Sequence, residues 1–242
     1  MRLFNDCIAD LALREIARVG ARDGDALLES PEDISSHIYS FYKELFSTEP
    51  RGGSSLCEDF WTLAAQVFEV ENAELTVPFS PEEVGRAIAS MKACSTAGSD
   101  GLPVVFFQKF WEILRPVIMP MFQEFYIGTL DMGRIGYGVI ALIPKVVGAS
   151  DIRQFRPITV INVVARIFAK VCATRLSPMA EQIAHPLQSA FLKGMRIHDG
   201  ILALHEIVHK VASKGLKGVF LKLDFQKAYD RLDWSFLRLV MQ

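Results

Sequence analysis

The sequence predicts an α+β chain, and three observations carry that reading. Two segments open with the same helix-start chemistry, Ser30-Pro31-Glu32-Asp33 and Ser80-Pro81-Glu82-Glu83. Apolar residues then recur at helical spacing over several stretches. Among them stand two short runs of strand character, Tyr137 to Ile143 and Val219 to Asp224.

Each helix start offers a serine cap, a proline at the first helical position and acids near the positive helix end. The first helix is expected to run to about Phe46, with Ile34, Ile38, Phe41 and Leu45 on one side, and Glu49-Pro50-Arg51-Gly52-Gly53-Ser54-Ser55 reads as a flexible joint. The second should end near Lys92, before a loop, Ser95-Thr96-Ala97-Gly98-Ser99-Asp100-Gly101. Phe106, Phe107, Phe110 and Trp111 follow, in a stretch that continues past Pro116 and Pro120 to Phe125. Aromatics at helical spacing belong to a core rather than to a base-stacking platform.

Further on, Val163 to Arg175 reads as a helix, and so does Asp199 to Val211 with Ile201, Leu204, Val208 and Val211 as its buried stripe. Gly215-Leu216-Lys217-Gly218 then turns the chain into the run that ends at Asp224. In a period-2 strand Phe220, Lys222 and Asp224 share one face, so a carboxylate is displayed at the strand end beside a lysine. On local grounds alone Asp224 could equally cap the helix that follows it. No internal repeat or low-complexity tract is visible.

Composition narrows the possibilities. Half of the 242 residues are apolar, enough for a sizeable core. The four cysteines, Cys7, Cys57, Cys94 and Cys172, form no Cys-x-x-Cys pair, against a disulfide framework or a cysteine zinc site and in favour of a reducing compartment. No apolar run reaches the roughly 18 to 20 residues of a membrane span, and no signal peptide or membrane anchor is expected. The formal charge of −2 conceals an asymmetry. Residues 1–141 hold 11 Lys+Arg against 21 Asp+Glu, whereas residues 142–231 hold 14 against 6. The basic half is suited to a phosphate backbone, the acidic half to solvent or protein.

The run Leu223-Asp224-Phe225-Gln226-Lys227-Ala228-Tyr229-Asp230 is similar to the first catalytic motif of LINE-type, non-LTR retrotransposon reverse transcriptases, especially those of plants. Upstream, Leu142-Ile143-Pro144-Lys145, Phe155-Arg156-Pro157-Ile158 with Asn162, Ala169-Lys170 and Arg175-Leu176 resemble that family's finger motifs. Gln188-Ser189-Ala190-Phe191, Gly194 and Asp199 resemble its next block. Ser99-Asp100-Gly101 and Phe107-Gln108-Lys109-Phe110-Trp111 occupy the places of its Pro-Gly-Pro-Asp-Gly and Phe-Trp elements. The likeness covers about residues 30–242, and its specificity lies in the ordered series rather than in any one motif.

The resemblance implies a right-hand polymerase fold: a helical N-terminal connector over 1–74, then fingers and the first part of a palm over 75–242, the palm incomplete. It implies RNA-directed DNA synthesis by two-metal nucleotidyl transfer, with an RNA template, a DNA primer and deoxynucleoside triphosphates as partners, in the nucleus or cytoplasm. Asp224 would be the catalytic carboxylate and a ligand of Mg2+, a hard ion that takes carboxylate oxygens and substrate phosphates. The Phe225 backbone would lie at the nucleotide, and Tyr229 under its sugar, excluding a ribose 2′-hydroxyl. Lys145 and Arg156 would neutralise the triphosphate, the guanidinium as a planar fork and the ammonium as a point charge. Gln188 and Gly194 match positions near template and nucleotide.

Departures set further expectations. Ala97 and Ser99 replace two family prolines, which predicts a looser loop. Met195 stands where arginine is usual, and Arg166 replaces a common lysine. The second catalytic element, a Tyr/Phe-x-Asp-Asp hairpin, is not found before Gln242, so the Mg2+ site is expected to be incomplete, the chain alone inactive, and its last apolar residues short of cover. Two rival readings remain. One is a non-catalytic, truncated remnant with at most weak nucleic-acid binding. The other is a zinc metalloprotease, since His205-Glu206-Ile207-Val208-His209 is a literal His-Glu-x-x-His, although no third ligand follows it. There Glu206 is also placed to pair with Lys210 one turn on.

Overall fold

Serine caps set the first helical starts as their sequence requires. In the computed structural model, which describes residues 21–23, 26–28, 30–46, 67–184, 188–192, 194–223 and 232–241, helix α1 spans Pro31–Phe46. The Ser30 hydroxyl accepts from the Asp33 amide at 3.1 Å. Before it lies a short antiparallel hairpin, β1 (Ala21–Asp23) and β2 (Ala26–Leu28). Helix α2 is Glu69–Leu75. Helix α3 is Pro81–Ser90, where Ser80 accepts from Glu83 N at 3.1 Å. It is followed by α4 (Val104–Lys109), α5 (Trp111–Tyr126) and α6 (Met132–Ile135). Strands β3 (Gly138–Pro144) and β4 (Phe155–Ile161) form a second antiparallel hairpin, with a 3-10 turn at Ile152–Gln154 just before β4. Helices α7 (Val163–Ile183), α8 (Ile197–Ser213) and α9 (Trp234–Val240) complete the order.

The chain divides into two units, residues 1–47 with 78–172, and residues 48–77 with 173–242. In the first unit, one cluster joins α3, α4, α5 and the beginning of α7, with Val84, Val104 and Val163 fully buried. Phe122 of α5 stacks on Phe168 of α7 with ring centroids 4.0 Å apart. Burying two such rings contributes several kcal/mol, roughly 1.5–3 for each side chain. The end of α3 is satisfied from outside the helix. Gln108 Nε2 donates to the carbonyls of Ile88 at 3.0 Å and Met91 at 2.9 Å, which is why that helix stops short of Lys92 without orphaned acceptors. At Gly85 an added Cβ would lie 2.9 Å from Trp111 Nε1, so the missing side chain lets the indole lie on α3. Of the aromatics assigned to the core, Phe107 is buried and Phe106 and Trp111 half-buried, while Phe110 is 43% exposed.

A second cluster in the same unit packs Ile34 and Tyr42 of α1 against Leu142 of β3, Phe155 of β4 and Ile152. Strand β4 was not foreseen in the sequence because Pro157 removes a backbone donor. It pairs opposite Leu142 in a hairpin with no third strand among the described residues, a setting in which a strand proline is tolerated.

In the second unit, Arg175 of α7 donates from one guanidinium nitrogen to the carbonyls of Leu75 at 3.1 Å and Val77 at 2.6 Å, closing the C-terminal end of α2. Asp233 caps α9 through the amides of Ser235 and Phe236. Two expectations fail in this unit. Ile201, Leu204 and Val208 of α8 are exposed, and only Val211 of the expected stripe is half-buried. Residues 219–223 form no strand, and Val219, Leu221 and Leu223 face solvent. The physical reason is shared: an apolar stripe or strand is stable only when another layer covers it and pairs its backbone, and no described element does so here. Among the described residues no helix is long and apolar enough to cross a membrane.

Candidate nucleotide-binding site

The register of the β3–β4 hairpin decides which way its cations face. Leu142 pairs with Pro157, Ile143 with Arg156 and Pro144 with Phe155, and Lys145 continues the ladder by donating its amide to Gln154 O at 2.8 Å. Directly opposed residues share a face and neighbours alternate. Leu142 and Phe155 therefore lie on the face that is buried against α1, and both are nearly inaccessible. Ile143, Lys145 and Arg156 share the opposite face and are exposed. By strand geometry the Cβ atoms of Lys145 and Arg156 lie diagonally, roughly 7–8 Å apart. That separation lets two side chains meet the oxygens of one polyphosphate.

The two cations are held differently. Lys145 Nζ donates to the carbonyl of Arg153 at 2.8 Å. That carbonyl is presented by the 3-10 turn, whose capping box is built from Asp151, which accepts from Arg153 N at 2.7 Å, and Gln154, which accepts from Asp151 N at 3.2 Å. The Asp151-Ile152-Arg153-Gln154 order is a capping signal written in the sequence. The Arg156 guanidinium has no hydrogen-bond or ion-pair partner among the described residues, leaving its five donors for an anion. Beside the hairpin, Pro144, Lys145, Gly148 and Phe155 help to line a cavity of about 290 Å3.

The loop 95–101 is fastened to the residues that follow β4, where the absence of two prolines predicts looseness. Asn162 stands between β4 and α7. Its Oδ1 accepts from Ser99 Oγ at 3.2 Å and from the Asp100 amide at 3.4 Å. One turn into α7, Arg166 donates to Thr96 O and Ser95 Oγ, each at 2.8 Å. Gly98 approaches so closely that a Cβ there would lie 2.2 Å from Asn162 Oδ1 and 2.5 Å from its Cα. Side-chain hydrogen bonds thus replace the rigidity of the prolines, and Arg166 makes its two contacts from separate nitrogens of one planar fork, where a lysine would offer a single nitrogen.

Gln188 and Gly194 lie in the second unit. Gln188 Nε2 donates to Ala190 O at 2.9 Å, a local turn contact. Gly194 has φ 84°, a backbone conformation that only glycine adopts without strain. Asp224, Phe225 and Tyr229 lie outside the described residues. On α8, His205, Glu206, His209 and Lys210 border one shallow, open patch of the helix surface. The Glu206–Lys210 ion pair does not form, and no group of three His, Cys, Asp or Glu gathers among the described residues, so the protease reading lacks its third ligand there.

Comparison with known proteins bears on the family of the chain. Residues 143–241 match the family described as reverse transcriptase (RNA-dependent DNA polymerase). That interval begins within β3 and takes in Lys145, Arg156, Gln188, Gly194 and Asp224. Over 225 residues the chain is 32% identical to a transposon TX1 uncharacterized 149 kDa protein of Xenopus laevis, an alignment that covers 93% of this chain and 17% of the relative. The chain therefore spans about a sixth of that relative's length. Neither the zinc protease nor the non-catalytic remnant is favoured by these matches. The family match runs through the exposed basic hairpin, and the likeness to the transposon protein extends over nearly all of this chain, so residues 143–241 are similar to a reverse transcriptase.

Proposed function

We propose that this segment supplies the triphosphate-binding face and one metal-holding carboxylate of an RNA-templated DNA polymerase, of the LINE type and closest in motif to those of plants. The observation that carries the reading is the pair of exposed cations, Lys145 and Arg156, on one face of a hairpin whose other face is locked into the core. A hairpin anchored on one side presents charge without reorganising, which is what stabilisation of a departing pyrophosphate needs. Arg156 grips phosphate oxygens through its fork, and Lys145 adds a point charge from a position fixed by the Arg153 carbonyl.

Asp224 is a hard oxygen donor suited to Mg2+. When bound, such an ion neutralises phosphate charge and activates the primer hydroxyl. Tyr229, five residues on, is assigned to sugar selection, the Phe225 backbone to the nucleotide, and Gln188 and Gly194 to the template side. RNA template, DNA primer and deoxynucleoside triphosphates are the corresponding partners.

The test is equilibrium binding of a deoxynucleoside triphosphate with Mg2+ to the 242-residue chain. A charge-assisted hydrogen bond contributes about 1.5–3 kcal/mol, so Arg156→Ala should weaken binding roughly 10- to 100-fold. Lys145→Ala should have a smaller effect in the same direction. Undiminished affinity in both variants would refute the assignment.

A further inference from the structure

His205 and His209 are separated by one helical turn on α8, which spans Ile197–Ser213 and has no buried residue. Both imidazoles are exposed, and neither has a hydrogen-bond or ion-pair partner among the described residues. Both border the same shallow, open patch of the helix surface, with Glu206, Lys210 and Ser213. Nothing in the polymerase reading uses this pair. We infer that His205 and His209 form a two-imidazole clamp for a borderline divalent transition-metal ion such as Zn2+ or Cu2+, on the surface of α8 and chemically distinct from a carboxylate site.

Residues at i and i+4 of a helix have Cβ atoms about 5–6 Å apart on one face. Two imidazole nitrogens projecting from that face can converge on one ion at Zn–N distances of roughly 2.0–2.1 Å. The helix fixes the spacing, so little order is lost on binding. Glu206 is adjacent to His205 in sequence and therefore lies about 100° round the helix from it. It acts as a nearby negative charge that offsets Lys210, and not as a ligand. With two protein donors, the remaining coordination positions are filled by water. Such a clamp is neither a closed structural zinc centre nor a protease site, both of which need at least three protein ligands. The donor chemistry also sets the ion: nitrogen ligands favour Cu2+ over Zn2+ and reject Mg2+, which takes oxygens.

Isothermal titration of Zn2+ into the 242-residue chain, in parallel with histidine NMR, tests the clamp. One ion should bind with perturbation of the His205 and His209 ring signals, and millimolar Mg2+ should not compete. His205→Ala or His209→Ala should weaken that binding by at least about tenfold, on the scale of losses seen when metal-site groups are removed. Glu206→Gln should change it much less. Circular dichroism of each variant confirms that α8 is intact. Two results would overturn the clamp: no Zn2+ binding below millimolar concentration, or binding by the double variant equal to that of the parent.

Discussion

The packing of Gly98 against Asn162 makes Gly98→Ala the sharpest probe of how the hairpin is held in place. A Cβ at residue 98 would meet Asn162 Oδ1 at 2.2 Å, Cα at 2.5 Å and N at 2.7 Å. Carbon contacts are comfortable near 3.5–4.0 Å, so the overlap is about an ångström with each atom. Two of the three atoms are backbone and cannot rotate aside. Relief requires moving either the loop or the junction of β4 and α7, and the next residue, Val163, is completely buried. Overpacking of this kind costs roughly 1–3 kcal/mol. Retreat of the loop would also strain the Ser99 and Asp100 bonds to Asn162, adding about 1 kcal/mol. The expected loss is therefore about 2–4 kcal/mol, read as a lower urea midpoint with an unchanged slope. Gly101→Ala is the control. It has φ 71° but nothing within 4 Å of its added Cβ, so it should cost only the left-handed backbone penalty of about 1–2 kcal/mol. Because the conflict is with backbone, Asn162→Ala should fail to rescue Gly98→Ala. Stability of Gly98→Ala within experimental error of the parent, or full rescue by Asn162→Ala, would refute the close-contact account.

Two further outcomes follow from the packing. Phe168→Ala removes one ring of the 4.0 Å stack with Phe122 from a fully buried site and should cost about 3–5 kcal/mol, enough to populate unfolded chain in a thermal melt; a loss under about 1 kcal/mol would contradict the stacked core. Gln108→Ala strips donors from the carbonyls of Ile88 and Met91 and should cost about 1–3 kcal/mol, with faster hydrogen exchange at the Met91 amide, which bonds to Ile88 O at 3.1 Å; unaltered exchange there would mean that the cap is idle.

Much of the first unit was legible in the sequence because its signals are local. Ser30-Pro31 and Ser80-Pro81 carry the donors, acceptors and φ restraint of a helix start, and α1 and α3 begin there. The residues of the basic hairpin were likewise recognisable from Leu142-Ile143-Pro144-Lys145 and Phe155-Arg156-Pro157-Ile158, and the family match begins among them. The strand character of 155–161 was not, because Pro157 argues locally against a strand and only its pairing partner makes one.

What tertiary structure alone decided is the direction of side chains and the company they keep. That Lys145 and Arg156 share the solvent face depends on cross-strand register, which puts Leu142 and Phe155 in the core and so turns the cations outward. The fastening of the loop by Asn162 and Arg166 joins residues more than sixty positions apart, a distance over which no periodicity speaks. The exposure of Ile201, Leu204 and Val208 on α8 carries the complementary lesson. The sequence by itself specifies that a helix has an apolar stripe, since that is a property of 3.6-residue spacing; whether the stripe is buried depends on another surface being there to meet it.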